Sequence, residues 1–377
     1  MASRALLLAL GTLVLTACAT PARPPRGPAV YFPGPPELPR IQHLISYNGL
    51  RDIEEQSGFD RFVVGAKQDL QLDKPYGIAI HDGKIYVCDT NTTVIVLDLA
   101  KKKYGPMPGA TGQGRLMQPV NISIEPDGTK YVSDPVRGQV VVFDAKDQFA
   151  RAIGEPGKWK PVAAAAFGDR LYVVDNENAL IRVFDKRSGA PIRTIGDAKD
   201  ANLRLVRPTN LAFSPEGDLY VSDMGRFQVV KFDRDGHAKS AVGVLGDSVG
   251  HFARPKGIAV DPYGNLLAVD AAFNNVQIFN REGRILMYFG EGGEQPGGLL
   301  LPAQVTVDRD NIKYFADDID PSFEAEYLIF VTSQFGKKKV NVYAFGKERG
   351  KRYPTDEELE RMIEERKQPD AAKPPGS

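Results

Sequence analysis

Residues 217–233 read GDLYVSDMGRFQVVKFD: an apolar run ending in Asp223, a short glycine-containing break, and a second run ending in Asp233. Two such runs around a Gly-bearing break describe a β-hairpin. An acidic residue at the tip of a hydrophobic strand is also where an enzyme often keeps a catalytic carboxylate. The same ending recurs in KIYVCD (84–89), KYVSD (130–134), LYVVD (171–175) and LLAVD (266–270), which place Asp89, Asp134, Asp175 and Asp270. Catalysis needs a residue at one location, whereas one placed five times around a repeat serves the repeat. Such a carboxylate can accept backbone N–H groups in the tight turn to the next strand.

Each hairpin follows a leading proline: Pro75, Pro119, Pro161, Pro208, Pro255 and Pro302, at intervals of 44, 42, 47, 47 and 47 residues. A period of 40–50 residues with several short strands in each unit is the mark of a β-propeller. In the fourth unit the strands read NLAF, DLYVSD, QVVKFD and AKSAVG, with SPEGD and DRDG as turns that supply positive φ. The fold class expected is all-β, a six-bladed β-propeller. The unit P-x-G-I-A-V-D…G-x-L-Y-V-x-D…V-x-V-F-D resembles the NHL repeat over roughly residues 72–346, the sixth copy (LPAQVTVDRDNIKYFADD) being degenerate. That copy ends at VNVYAFG (340–346) without a fourth strand, and RIQHLISYN (40–48) has no blade of its own. Ile41–Tyr47 is therefore expected to complete the sixth blade and close the ring, which removes exposed edges. The propeller is expected over residues 40–346, with LRDIEEQSGFDRFVVG forming a short helix and connector.

Composition excludes several classes. Lys+Arg and Asp+Glu balance at 48 each, so no nucleic-acid footprint is indicated. The two cysteines, Cys18 and Cys88, form no CxxCH or CxxC, so the chain carries no covalent c-type haem and no thiolate zinc site. The N-terminus has Arg4 and then an apolar run from Ala5 to Leu15, too short to span a bilayer, which reads as a signal peptide over residues 1–17. The run ends in LTAC, which resembles a bacterial lipobox and implies lipidation (palmitate among the acyl chains) of Cys18. Ala19 follows rather than Asp, which favours the outer membrane of a Gram-negative envelope. Residues 18–39, dense in proline, are expected as a semi-rigid tether. Cys88, left without a partner, reads as a small buried hydrophobe. The stretch PPELPRIQHLISYNGLRDI resembles the N-terminal segment of bacterial envelope NHL-propeller lipoproteins, some encoded beside multihaem cytochromes. The resemblance implies an envelope location far more strongly than any activity. The regular repeats, the lipobox and the lack of a catalytic constellation point to a protein partner, and with an envelope cytochrome as that partner the role would be assembly or docking. Residues 347–377 are expected as a helix (355–367, with a Thr355–Glu358 capping box) and a disordered tail.

Propeller sites sit at the channel mouth, where one position recurs from each blade. Two residues after each leading proline come Gly77, Asn121, Ala163, Asn210, Gly257 and Gln304. Asn121, Asn210 and Gln304 could hold a water, an ion or a ligand's polar group, but carboxamides are not acids or bases near neutral pH. Four residues after each proline stand Ala79, Ser123, Ala165, Ala212, Ala259 and Thr306, all small, which suggests tight packing near the axis. None of His43, His81, His237 or His251 recurs at an inner-strand position, so no histidine cluster is indicated at the axis. In the sixth blade, Asp317, Asp318, Asp320, Glu324 and Glu326 give five carboxylates in ten residues. Hard oxygens at this density suit Ca²⁺, although their spacing does not match the EF-hand loop. A solvated acidic loop or a dock for a basic partner are the alternatives. No other cofactor is expected. Two classes of function follow: a non-catalytic, lipid-anchored scaffold that presents loops to a protein partner, or a metal-dependent lyase or hydrolase like other propeller enzymes. A small-ligand binder at the amide ring is a third.

Overall fold

The computed structural model describes residues 27–54, 69–196 and 198–355, together with Glu358 and Arg361. Cys18, residues 1–17 and most of the 355–367 segment lie outside the described residues. Thr355 and Glu358 do exchange hydrogen bonds: the Thr355 N–H donates to the Glu358 carboxylate (3.0 Å), and the Glu358 N–H to the Thr355 hydroxyl (3.3 Å).

Six antiparallel sheets form the blades. Blades one to five each run outward through four consecutive strands, beginning with Pro75–His81, Asn121–Ile124, Pro161–Phe167, Pro208–Phe213 and Pro255–Val260 on the axis. Blade six runs outward through Pro302–Asp308, Phe323–Ser333, Val340–Glu348, Ile41–Tyr47 and Val30–Phe32. The fourth strand thus comes from the N-terminal segment, with Ile41 opposite Phe345 and Tyr47 opposite Val340. Within the proline-rich stretch expected only as a tether, Val30–Phe32 adds a fifth strand, Val30 pairing with His43. In the degenerate sixth repeat, residues Ile312–Asp318 form a 3₁₀ helix, and the second strand comes later, ending at Ser333 opposite Pro302.

The second strand is buried along its whole length in blades two, four and five, and in all but its first residue in blades one and three, because every blade is covered on both faces. Period-2 alternation sends successive side chains to different neighbours. In blade three, Leu171 and Val173 pack against blade two, while Tyr172 and Val174 pack against blade four. Six apolar clusters result, one between each pair of adjacent blades. Cys88 belongs to the cluster between blades one and two, and burial holds its thiol well above the usual range.

Candidate functional site: the axial channel and its proline-side mouth

The five repeated aspartates are all buried and all engaged by backbone. Asp223 accepts N–H bonds from Val206 (2.7 Å), Arg207 (2.8 Å) and Gly225 (2.9 Å). Asp270 takes Ala253 (2.7 Å) and Ala272 (2.8 Å), Asp89 takes Asp73 (2.6 Å) and Lys74 (3.1 Å), and Asp134 takes Met117 (2.5 Å) and Arg137 (2.9 Å). Asp175 takes Lys160 (3.2 Å) and the Arg182 guanidinium (2.8 Å). Each carboxylate therefore pins the incoming interblade segment just before its leading proline, which has no N–H to satisfy. The turn after the carboxylate's own strand, expected from sequence as its partner, is held as well.

Beyond five of the six leading prolines, the inner strand slips register against its neighbour by a bulge, between Pro75 and Ile78, Pro161 and Ala163, Pro208 and Asn210, Pro255 and Ile258, and Pro302 and Val305. Bulges re-aim side chains, and these carry the mouth residues. Of the three amides, the Asn210 Nδ2 donates to Gln304 Oε1 at 2.7 Å, reaching from blade four to blade six across blade five. Gly257 makes the span feasible: a Cβ there would stand 2.2 Å from Gln304 Oε1. Asn121 lines the same channel outside this pair. Asn210 Oδ1 is buried with no donor.

Beyond the amides lies a cavity of about 730 Å³. Its wall includes Ala79, Ser123, Ala165, Ala212, Ala259 and Thr306. These small residues, expected where the blades crowd near the axis, line an open channel, because six inner strands cannot converge closely enough to fill it with methyl groups. The far end carries His81, Asp82, Glu125, Asp308 and Asp310 beside Lys313. Burial raises the Asp308 carboxyl, which accepts both Asn311 N–H (2.8 Å) and Nδ2 (3.0 Å).

The proline-side mouth is basic, a property the sequence reading missed. Lys256 and Tyr76 follow the leading prolines of blades five and one, and Ala303 holds that place in blade six. Across this small residue Lys256 Nζ reaches 5.2 Å from the Tyr76 ring centre and donates to Gln334 Oε1 at 3.1 Å. Burial, then the charges of Arg254 and Lys74, lowers the Lys256 ammonium to about 8. Burial pushes the Tyr76 phenol up to about 12 against the pull of Arg254. The signal was present in the sequence: the residue before the leading proline is Lys74, Lys160, Arg207 or Arg254 in four of six repeats.

The acidic run does not assemble. Asp320 accepts from its neighbour Ser322 (2.8 Å), and Glu326 takes the Tyr263 hydroxyl (2.7 Å) with Lys347 at 3.5 Å. Asp317 and Asp318 sit on the 3₁₀ helix, and Glu324 is exposed on the following strand. Among the described residues, the group of ligand-bearing side chains that does converge is Asp233, Asp235 and His237, within 4.8 Å of one another on an outer hairpin. There Asp233 is occupied as the turn's acceptor for the Asp235 (3.0 Å) and His237 (2.8 Å) N–H groups. His43 lies in the closing strand and His251 in an interblade segment. No helix among the described residues is long and apolar enough to cross a membrane.

No protein-family model and no curated protein matches the chain. Solved structures do. A structural-genomics protein of unknown function from Bacteroides thetaiotaomicron is 16% identical over 80% of this chain and 75% of its own, with a TM-score of 0.56. A gluconolactonase from Xanthomonas campestris is 15% identical over 85% of this chain and 99% of its own, with a TM-score of 0.53. A streptogramin B lyase is 12% identical over 73% and 84%, at a TM-score of 0.49. At such identities the likeness is one of fold, and function must be read from the site.

Proposed function

We propose that the chain is a non-catalytic scaffold of the bacterial envelope, an NHL-like propeller tethered through lipidated Cys18 at the outer membrane and presenting its proline-side face to a protein partner. The observation that carries this reading is the chemistry of that face. Lys74, Lys160, Arg207 and Arg254 are exposed and form no ion pair among the described residues, and Met117, Val136, Val206 and Phe335 are exposed beside them. Exposed apolar groups rimmed by charge are the composition of a protein–protein contact. The repeated carboxylates, by contrast, are all engaged in clamping backbone. An envelope cytochrome fits as a client, with the chain docking rather than carrying haem.

The test has two parts. Metabolic labelling with palmitate should mark the wild-type chain and fail on Cys18→Ser; equal labelling removes the anchor. Crosslinking in native envelopes should then recover one protein in near-stoichiometric yield, with crosslinks on the proline-side rim. Recovery of the chain alone in repeated trials rejects the scaffold. The cavity, with the donor-less Asn210 Oδ1 at its wall, supports a second reading as a small-ligand binder. A reproducible thermal shift with a polar small molecule, abolished by Asn210→Leu, would favour it.

A further inference from the structure

Among the described residues three lysines are buried, and they differ in what they touch. Lys130, fully inaccessible, pairs with Asp147 at 2.8 Å and donates to the Gly128 (2.8 Å) and Asp144 (3.0 Å) carbonyls. Lys339 donates to the Asp73 (2.8 Å) and Gln334 (2.7 Å) carbonyls. Lys256 is 7% exposed, yet among the described residues its one acceptor is the neutral oxygen of Gln334. An ammonium has three donors, and a buried one without a counter-charge is costly. The charges of Arg254 and Lys74 act on it in the same direction and make matters worse. The blade aspartates are buried and occupied by backbone N–H groups, so they offer Lys256 no free counter-charge.

We propose that the mouth around Lys256 is a carboxylate-binding site and that its occupant is an acidic segment of the partner protein, one carboxylate reaching Lys256 and others lying over the ring of Lys74, Lys160, Arg207 and Arg254. The occupant rests on the scaffold reading; the site itself rests on Lys256 and its surroundings. The single buried ammonium gives a fixed point, and the exposed cations give attraction over distance. Apolar residues of the segment would find Met117, Val206 and Phe335 on the same face. The opposite mouth, bearing Asp82, Glu125, Asp308 and Asp310, repels the same segment.

The experiment is fluorescence anisotropy of a labelled hexaglutamate peptide with the full-length chain at low salt, with hexalysine, acetate and inorganic phosphate as comparisons. Hexaglutamate should bind and hexalysine should not. Lys256→Met should weaken binding by about 30-fold or more, the loss expected when one member of a buried charge pair is removed, whereas Arg207→Gln should cost only a few-fold and chiefly slow association. Lys256→Met should melt no lower than wild type, because it removes an uncompensated charge, while Lys130→Met should melt lower. Equal binding by Lys256→Met, or a Lys256→Met chain that is destabilised and still binds, overturns the site. Acetate or phosphate binding as tightly as the peptide overturns the protein occupant. Failure of the scaffold is separable: crosslinks to a partner on the opposite face without peptide binding sink this site and the proline-side face but leave a scaffold, whereas peptide binding without any captured partner sinks the scaffold and its occupant but leaves the carboxylate site.

Discussion

Asp223 has no contact with solvent, and its Oδ1 accepts from Arg207 and Gly225 while Oδ2 accepts from Val206. Removing the carboxylate strands these donors at the junction between two blades. Each buried donor left unpaired costs roughly 1–3 kcal/mol, so Asp223→Ala should lose about 3 kcal/mol in urea unfolding after partial rehydration of the loop. Asp223→Asn keeps one oxygen for two of the N–H groups but turns an amino group toward the third, and should fall between Ala and wild type. A catalytic carboxylate would behave otherwise, since Asn at such a position abolishes turnover and leaves stability intact. In blade six the corresponding residue is Ser333, whose hydroxyl stands 3.3 Å from the Leu300 N–H. A hydroxyl clamps less tightly than a carboxylate, and this blade is the one that draws two extra strands from the other end of the chain.

Those extra strands carry the pH-sensitive element. His43, on Ile41–Tyr47, packs edge-on to Tyr343 at 5.3 Å and lies 3.0 Å from Ser46 Oγ, which in turn donates to Asn341 Oδ1 at 2.8 Å. Burial, then the charge of Lys338, lowers the imidazole to about 4. The unfolded chain, titrating near 6.5, takes up the proton first, so the stability from neutral His43 is full above pH 6.5 and is lost as pH falls toward 4. The loss should be about 2 kcal/mol, below the value of the full shift because the ring keeps some access to water. Denaturant titrations of wild type and His43→Gln across pH 4–7 should diverge in that window; parallel curves would show that the ring takes up its proton equally in the folded and unfolded states. The closing strand itself was legible in the sequence, since an apolar run without a blade and a blade without a strand imply each other. Val30–Phe32 was not, because three residues among prolines carry no periodicity and their pairing with His43, Gln42 and Ile41 is made by tertiary structure. The candidate site divides in the same way. The amide ring could be read from its spacing, but the isolation of Lys256 depends on blades five, six and one meeting across Ala303, and no single repeat contains that fact.

At the scale of the molecule, the ring is joined once, and everything that keeps it shut converges on blade six. Val340–Glu348 is central in that sheet only because Ile41–Tyr47 covers its outer edge. Arg40 stacks over both Phe345 (4.5 Å) and Tyr353 (5.1 Å), and the Tyr353 hydroxyl donates to the Pro39 carbonyl at 2.7 Å, so the segment after the ring also fastens the segment before it. Because the N-terminal strands lie on the outer edge of a blade, the tether proposed above would hold the disc by its rim and leave both mouths uncovered. Closure should then determine cooperativity. The intact chain should unfold in one calorimetric transition with matching van 't Hoff and calorimetric enthalpies. Deleting residues through Tyr47 removes Ile41 from the cluster between blades five and six and Tyr47 from that between six and one. It also bares the backbone edge of a long apolar strand, which is a template for pairing with another chain. The truncated protein should show a lower, broader transition and concentration-dependent association by size exclusion, whereas deletion through Pro28 should change neither. If the chain shortened through Tyr47 remains monomeric and melts as sharply as the parent, the six apolar interfaces between blades hold the ring without the seam, and the N-terminal strands serve only to position the tether.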